Sequence, residues 1–142
     1  MIIMIYFLVL ALSVVFGSEL TSTSNWWDDC KGTNLRNDKH LERKIDRMSK
    51  PIIIDWYLEY CGWCEKFKPD WNRLYKRLRR KVKFVKADGK KLPEFKTKYG
   101  ITGFPKIMMI MPDGEDYTFT GKRDYKTVKR WIIKLLKRNK CY

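Results

Sequence analysis

Histidine is nearly absent from this chain and cysteine is scarce: His40 stands alone, and Cys30, Cys61, Cys64 and Cys141 are the full set of thiols. A structural zinc site takes four tetrahedral ligands, normally drawn from two closely spaced pairs. Only Cys61 and Cys64 are close in sequence, so a metal centre is disfavoured, and His40 reads as a surface residue of a short helix. Internal repeats and low-complexity tracts are also missing, which leaves one compact domain as the expectation for 142 residues. The first apolar run has no Lys or Arg ahead of it, and the chain closes on RNKCY, with no KDEL-type retention tetrapeptide.

That apolar run, Met1 to Phe16, leads into the small residues Gly17 and Ser18 and the polar stretch SELTSTSN. The pattern is that of a secretory signal peptide at residues 1–17, with Val15 and Gly17 at the small positions before the cut. An uncleaved anchor is the alternative, although a membrane span needs about 20 apolar residues. Secretory entry points to the endoplasmic reticulum lumen or to secretion, and it makes stable disulfides chemically possible. Acidic side chains are outnumbered, 16 Asp and Glu against 31 Lys and Arg, for a formal charge of +15. Such a field suits anionic glycans, anionic lipid surfaces or acidic client proteins as the anionic surface partner, and the secretory route argues against nucleic acid. A solvated basic surface that keeps the protein soluble is the plainer alternative.

Residues 18–36 are polar, broken by Trp26 and Trp27, and show neither a helical nor a strand period. From Asn37, NDKHLERKIDRMSK sets Leu41, Ile45 and Met48 on one face with Asn37 or Asp38 able to cap it, which predicts a short amphipathic helix. Lys50-Pro51 ends that helix, because the residue before a proline is pushed out of helical geometry. The following IIIDWYL suits a buried central strand. Between Gly62 and Arg80 the positions Phe67, Trp71, Leu74, Tyr75 and Leu78 recur at helical spacing. Strands at 82–87 and 106–111 flank a short helix at 92–99 closed by Gly100. A turn at Pro112-Asp113-Gly114 then leads to a strand at 116–120 and an amphipathic helix from Asp124 to Arg138. Alternating strands and helices predict an α/β domain with a mostly parallel sheet and an antiparallel edge strand.

In this order the stretch EYCGWCEKF places Cys61 and Cys64 in the first turn of a helix that follows a central strand. Unpaired backbone N–H groups and the positive end of the helix dipole stabilise a thiolate at Cys61, and a free thiol with a pKa of about 8.5 needs only a modest lowering to react near neutrality. Trp56-Tyr57 before the pair, Pro69 after it, and Gly103-Phe104-Pro105 ahead of the next strand stand in register with it. On these residues the chain resembles the thioredoxin and protein disulfide isomerase family, over residues 37–140. The resemblance implies a thioredoxin fold, an α/β architecture with a central mixed sheet and helices on both faces. It implies a thiol–disulfide oxidoreductase without a cofactor, acting on cysteine-containing client proteins and recharged by a partner thiol or glutathione. Cys61 would attack and Cys64 would resolve the mixed disulfide, while Phe104 and a cis Pro105 would face the cysteines and bind substrate.

Other residues extend the match. Asp55 interrupts an apolar strand, where a buried acid is costly and usually has a function or a partner. In the family this position accepts a proton from the second cysteine, Lys86 falls where a lysine pairs with that acid, and Arg123 falls where an arginine approaches the second cysteine and lowers its pKa. One position departs: Trp63 stands where isomerases usually carry His and thioredoxins Pro. It is neutral and cannot supply charge to a thiolate, so it is expected to act as an apolar contact for clients. Glu59 and Glu65 oppose thiolate formation, whereas Lys66 and Lys68 favour it. Cys30 and Cys141 are expected to form a disulfide, with separate or intermolecular thiols as the alternative. A non-catalytic binding module on the same scaffold is the rival function.

Overall fold

The computed structural model describes residues 29–141; the expected signal peptide, Trp26 and Trp27 lie outside the described residues. The elements run β1 (Thr33–Asn34), α1 (Asp38–Asp46), β2 (Ile52–Tyr57), α2 (Gly62–Leu78), β3 (Lys83–Asp88), α3 (Pro93–Lys98), β4 (Lys106–Ile110), β5 (Asp116–Thr118) and α4 (Tyr125–Arg138). Local chemistry sets the helix starts. The Asn37 side chain accepts the His40 N–H at 3.0 Å to cap α1, and Asp124 accepts the Thr127 N–H at 2.9 Å to cap α4. Pro93 begins α3 at a position where a missing N–H costs nothing.

The strands form one mixed sheet in the order β1-β3-β2-β4-β5. β1 and β2 both pair parallel to β3, whereas β4 pairs antiparallel to β2 and β5 antiparallel to β4. The expected mostly parallel sheet is therefore corrected at β4. The connection through α3 and residues 101–105 delivers that strand in the opposite direction, so only the β1-β3-β2 half is parallel. β1 is an addition as well, since it recruits part of the stretch that reads as a featureless polar segment. Gly32 permits this edge: its φ of +111° is open to glycine, and a Cβ there would lie 2.9 Å from the Phe84 carbonyl oxygen.

Side-chain alternation along the strands builds a core on each face. Ile53 and Tyr57 of β2, Phe84 of β3, and Ile107 and Met109 of β4 pack with Cys64, Phe67, Trp71 and Leu74 of α2 and with Val128, Ile132 and Leu136 of α4. Ile52, Ile54 and Trp56 turn to the other face, with Leu41, Val85, Leu92, Met108 and Ile110. Helices therefore cover both faces, and β2 is buried along its whole length. Parity places Asp55, between Ile53 and Tyr57, on the same face as Cys64, and the parallel register pairs it with Lys86 of β3. A carboxyl and an ammonium are thus carried beneath the start of α2.

Candidate active site

The chain leaves β2 at Tyr57 and turns through Tyr60, whose φ of 62° is a left-handed conformation for a side-chain-bearing residue. That turn delivers Cys61 as the N-cap of α2. Cys61 and Cys64 form a disulfide with a Cα–Cα distance of 5.2 Å. The Cys64 N–H donates to Cys61 Sγ at 3.2 Å. The two sulfurs differ in access: Cys64 is fully buried, Cys61 is partly exposed. Opening the disulfide would leave Cys61 Sγ at the helix N-terminus with a backbone donor aimed at it, the arrangement that stabilises a thiolate.

A second loop closes over this sulfur. The Phe104-Pro105 peptide is cis, and the Phe104 carbonyl oxygen lies 3.8 Å from Cys61 Sγ. Gly89 makes room for the Phe104 ring, because a Cβ at that position would fall 2.6 Å from Phe104 Cζ. Phe67, Phe104, Pro105 and Trp63 border a groove of about 440 Å³, with Lys66, Lys122 and Arg123 also lining it. Trp63 and Tyr60, at 72% and 83% exposure, are the large hydrophobic side chains most open to solvent among the described residues. Arg123 is exposed on this groove beside Lys122.

Behind the disulfide lies a buried polar cluster. Asp55 is fully buried and neither carboxylate oxygen accepts a hydrogen bond from the described residues. Desolvation pushes its pKa well above the ordinary carboxylate range, and the nearby Lys86 ammonium only partly opposes that. Lys86 is itself buried, and its Nζ donates to the Cys30 carbonyl oxygen. Cys30 is a free buried thiol whose pKa is raised by burial and by the Asp55 charge. The expected Cys30–Cys141 disulfide is therefore not what the structure holds. Cys30 is drawn into the core beside Asp55 and Lys86, while the Cys141 thiol donates to the Asn139 carbonyl at 3.3 Å.

The segment around Cys30 is a part of the site that sequence reasoning missed. The Trp71 indole donates to the Lys31 carbonyl at 2.7 Å. Asn72 accepts the Lys31 N–H at 2.7 Å and donates to the Asp29 carbonyl at 3.0 Å. Lys68, nearly buried on α2, bridges Asp29 at 3.1 Å and Glu65 at 2.9 Å. Burial alone would lower the Lys68 pKa, but its bonds to Glu65 and Asp29 outweigh that and raise it. Glu65, expected to oppose a thiolate, is paired with Lys68 on the side of α2 that faces the N-terminal segment. The available signal was a pair of polar residues, Lys68 and Asn72, one helical turn apart and flanking the apolar stripe of α2.

The larger concavity, about 660 Å³, lies between α1 and α3 and contains no cysteine. Its Asp38 carboxylate accepts the Phe95 N–H at 2.9 Å and so caps α3, a structural duty.

Residues 32–134 match the family model described as Thioredoxin. The chain belongs to the thioredoxin family. The match takes in Asp55, Cys61, Cys64, Lys86, Pro105 and Arg123, and leaves the Asp29–Lys31 clamp outside. The chain is 31% identical over 101 residues to a thioredoxin of Rickettsia typhi, covering 71% of this chain and 96% of that one. It is 24% identical over 104 residues to protein disulfide isomerase-like 2-3 of Oryza sativa subsp. japonica, covering 72% of this chain but only 24% of that longer protein. Among solved structures, the thioredoxin of Fasciola hepatica superposes with a TM-score of 0.64 at 25% identity, over 72% of this chain and 97% of that one. The thioredoxin-family protein is therefore a thioredoxin-like oxidoreductase with a Cys61–Cys64 disulfide.

Proposed function

We propose that this thioredoxin-family protein exchanges disulfides with client proteins in the secretory pathway, in the manner of a protein disulfide isomerase. The observation that carries the reading is the asymmetry of the pair: Cys61 is partly exposed at a helix N-terminus and Cys64 is sealed beneath it. In the oxidising direction, a client thiolate attacks Cys61 Sγ and breaks the Cys61–Cys64 bond, and Cys64 leaves as a thiolate that takes up a proton. A second client thiolate then attacks the client sulfur of the mixed disulfide and releases the Cys61 thiolate. The client has lost two electrons and the pair has gained them; the reverse sequence reduces a client disulfide.

Each remaining residue has a task in that cycle. Asp55, with its raised pKa on the face of β2 that packs under α2, supplies and recovers the Cys64 proton. Lys86 tempers the rise in the Asp55 pKa. Backbone at Phe104 and Pro105 receives an extended client segment, and Trp63 gives it apolar contact. Arg123 bears on the groove from its rim. A partner thiol or glutathione resets the pair. The secretory assignment is supported by the apolar run Met1–Phe16 followed by small and polar residues.

Cys64→Ala removes the resolving sulfur and leaves Cys61 reactive. Incubated with reduced-and-oxidised secretory extract, this variant is expected to accumulate adducts that run as disulfide-linked species and disappear on reduction or in Cys61→Ala/Cys64→Ala. A scaffold that only binds would give no such adducts and would retain its partners after both cysteines are removed.

A further inference from the structure

Charge along the groove beside the disulfide is lopsided, and the following rests on the oxidoreductase reading above. On the side of α2 facing the N-terminal segment, Glu65 and Asp29 are both engaged with Lys68. On the groove side, Lys66, Lys122 and Arg123 line a surface on which, among the described residues, no carboxylate appears. Lys66 is held there by its Nζ 4.6 Å above the Trp63 ring, an arrangement that leaves ammonium hydrogens pointing outward. Asp124 lies 3.9 Å from Lys122 Nζ, but its oxygens already accept the Thr127 N–H and hydroxyl as the cap of α4. Lys122 is 85% exposed, so that contact removes little of its field.

We propose that the groove selects client cysteines flanked by acidic residues in an extended polypeptide segment. The segment's backbone lies along Phe104 and Pro105, its cysteine reaches Cys61, and carboxylates on either side of that cysteine meet Lys66 and the Lys122-Arg123 pair. Charges on an exposed rim act mainly on the encounter rate and are screened by salt, so the preference is kinetic and ionic-strength dependent. The general charge of +15 would attract any acidic peptide from any side; the groove requires the acids beside the cysteine.

The test uses the full mature chain, reduced beforehand with a dithiol, and two synthetic peptides each closed by one disulfide. They differ only in carrying Glu or Gln on both sides of the reacting cysteine. Cys61 thiolate attacks the peptide sulfur, the peptide disulfide breaks, and Cys64 thiolate then displaces the second peptide thiolate, so two electrons pass from protein to peptide. Tryptophan fluorescence in stopped flow reads the rate. The Glu peptide is expected to react roughly tenfold faster at low ionic strength, with the ratio falling as salt rises. Lys66→Gln/Lys122→Gln should bring the ratio near unity, while Lys134→Gln/Lys137→Gln, an equal charge change at exposed positions of α4, should preserve it. Equal rates in the unaltered protein overturn the proposal, as does a ratio lost equally in both double variants, which would mark bulk attraction. Exchange with neither peptide would instead overturn the oxidoreductase reading itself.

Discussion

Replacing Cys61 with serine is expected to lower the rate of disulfide exchange by at least about a thousandfold while leaving the fold in place. A hydroxyl neither ionises near neutral pH nor forms a disulfide, so no partial substitute for the chemistry remains. The structural cost is small for specific reasons. Cys61 is partly exposed, and its sulfur serves as the N-cap acceptor for the Cys64 N–H, a duty serine performs well. Cys64→Ser should also abolish exchange but should destabilise more. Its hydroxyl would replace a fully buried sulfur in the apolar cluster of Phe67, Trp71 and Ile107, and a buried hydroxyl without a partner costs about 1–3 kcal/mol. Exchange assays with each variant, paired with urea unfolding, separate the two roles. A Cys61→Ser protein that still turned over disulfides would end the assignment of Cys61 as nucleophile.

Asp55→Asn is expected to stabilise the protein at neutral and alkaline pH and to slow exchange roughly a hundredfold, in the range of a lost general acid–base group. The sign follows from burial. The Asp55 pKa is raised in the native protein above its ordinary value of 3.8, first by desolvation. Across the window from that ordinary value up to the raised native one, the native state holds a proton that the unfolded chain has released. Stability therefore falls as pH rises through this window, by up to about 1.4 kcal/mol per pH unit. Asparagine does not titrate, so the variant should show a flatter stability profile, nearly matching the parent below the window and exceeding it above. Denaturant unfolding between acid and alkaline pH reads this directly. Parallel profiles for the two proteins would mean that Asp55 keeps an ordinary pKa and cannot manage the Cys64 proton.

How much of this architecture was readable beforehand depends on the range of the interaction. The apolar stretch IIIDWY declares a buried strand, and the spacing of Phe67, Trp71, Leu74 and Leu78 declares the face of α2, because each pattern is local and its period is written in adjacent residues. The active pair was readable from its place between β2 and the start of α2, whereas its partner loop at Gly103-Phe104-Pro105 was placed by resemblance to the thioredoxin and protein disulfide isomerase family. β1 was not, since Thr33–Asn34 is too short to show a period and exists only through its pairing with Val85 and Lys86. The docking of Asp29–Lys31 was hidden for a related reason: its partners Lys68, Trp71 and Asn72 lie about forty residues away, and Lys68 reads as solvated until the fold buries it. Pairing Cys30 with Cys141 rested on counting thiols, which carries no information on where the core draws each one. Arg123 was placed by resemblance against Cys64; the structure puts it on an exposed groove with Lys66 and Lys122, where its charge faces solvent and any bound client.

A redox role requires the Cys61–Cys64 disulfide to cycle between oxidised and reduced forms. Its reduction potential, measured by equilibration in glutathione buffers with tryptophan fluorescence and checked by alkylation and mass spectrometry, reports whether it does. A cycling pair is expected between about −270 and −180 mV, where thiol pools can both reduce and reoxidise it; a pair that stayed oxidised to below about −300 mV would be a structural disulfide, and Cys61 would have no catalytic role.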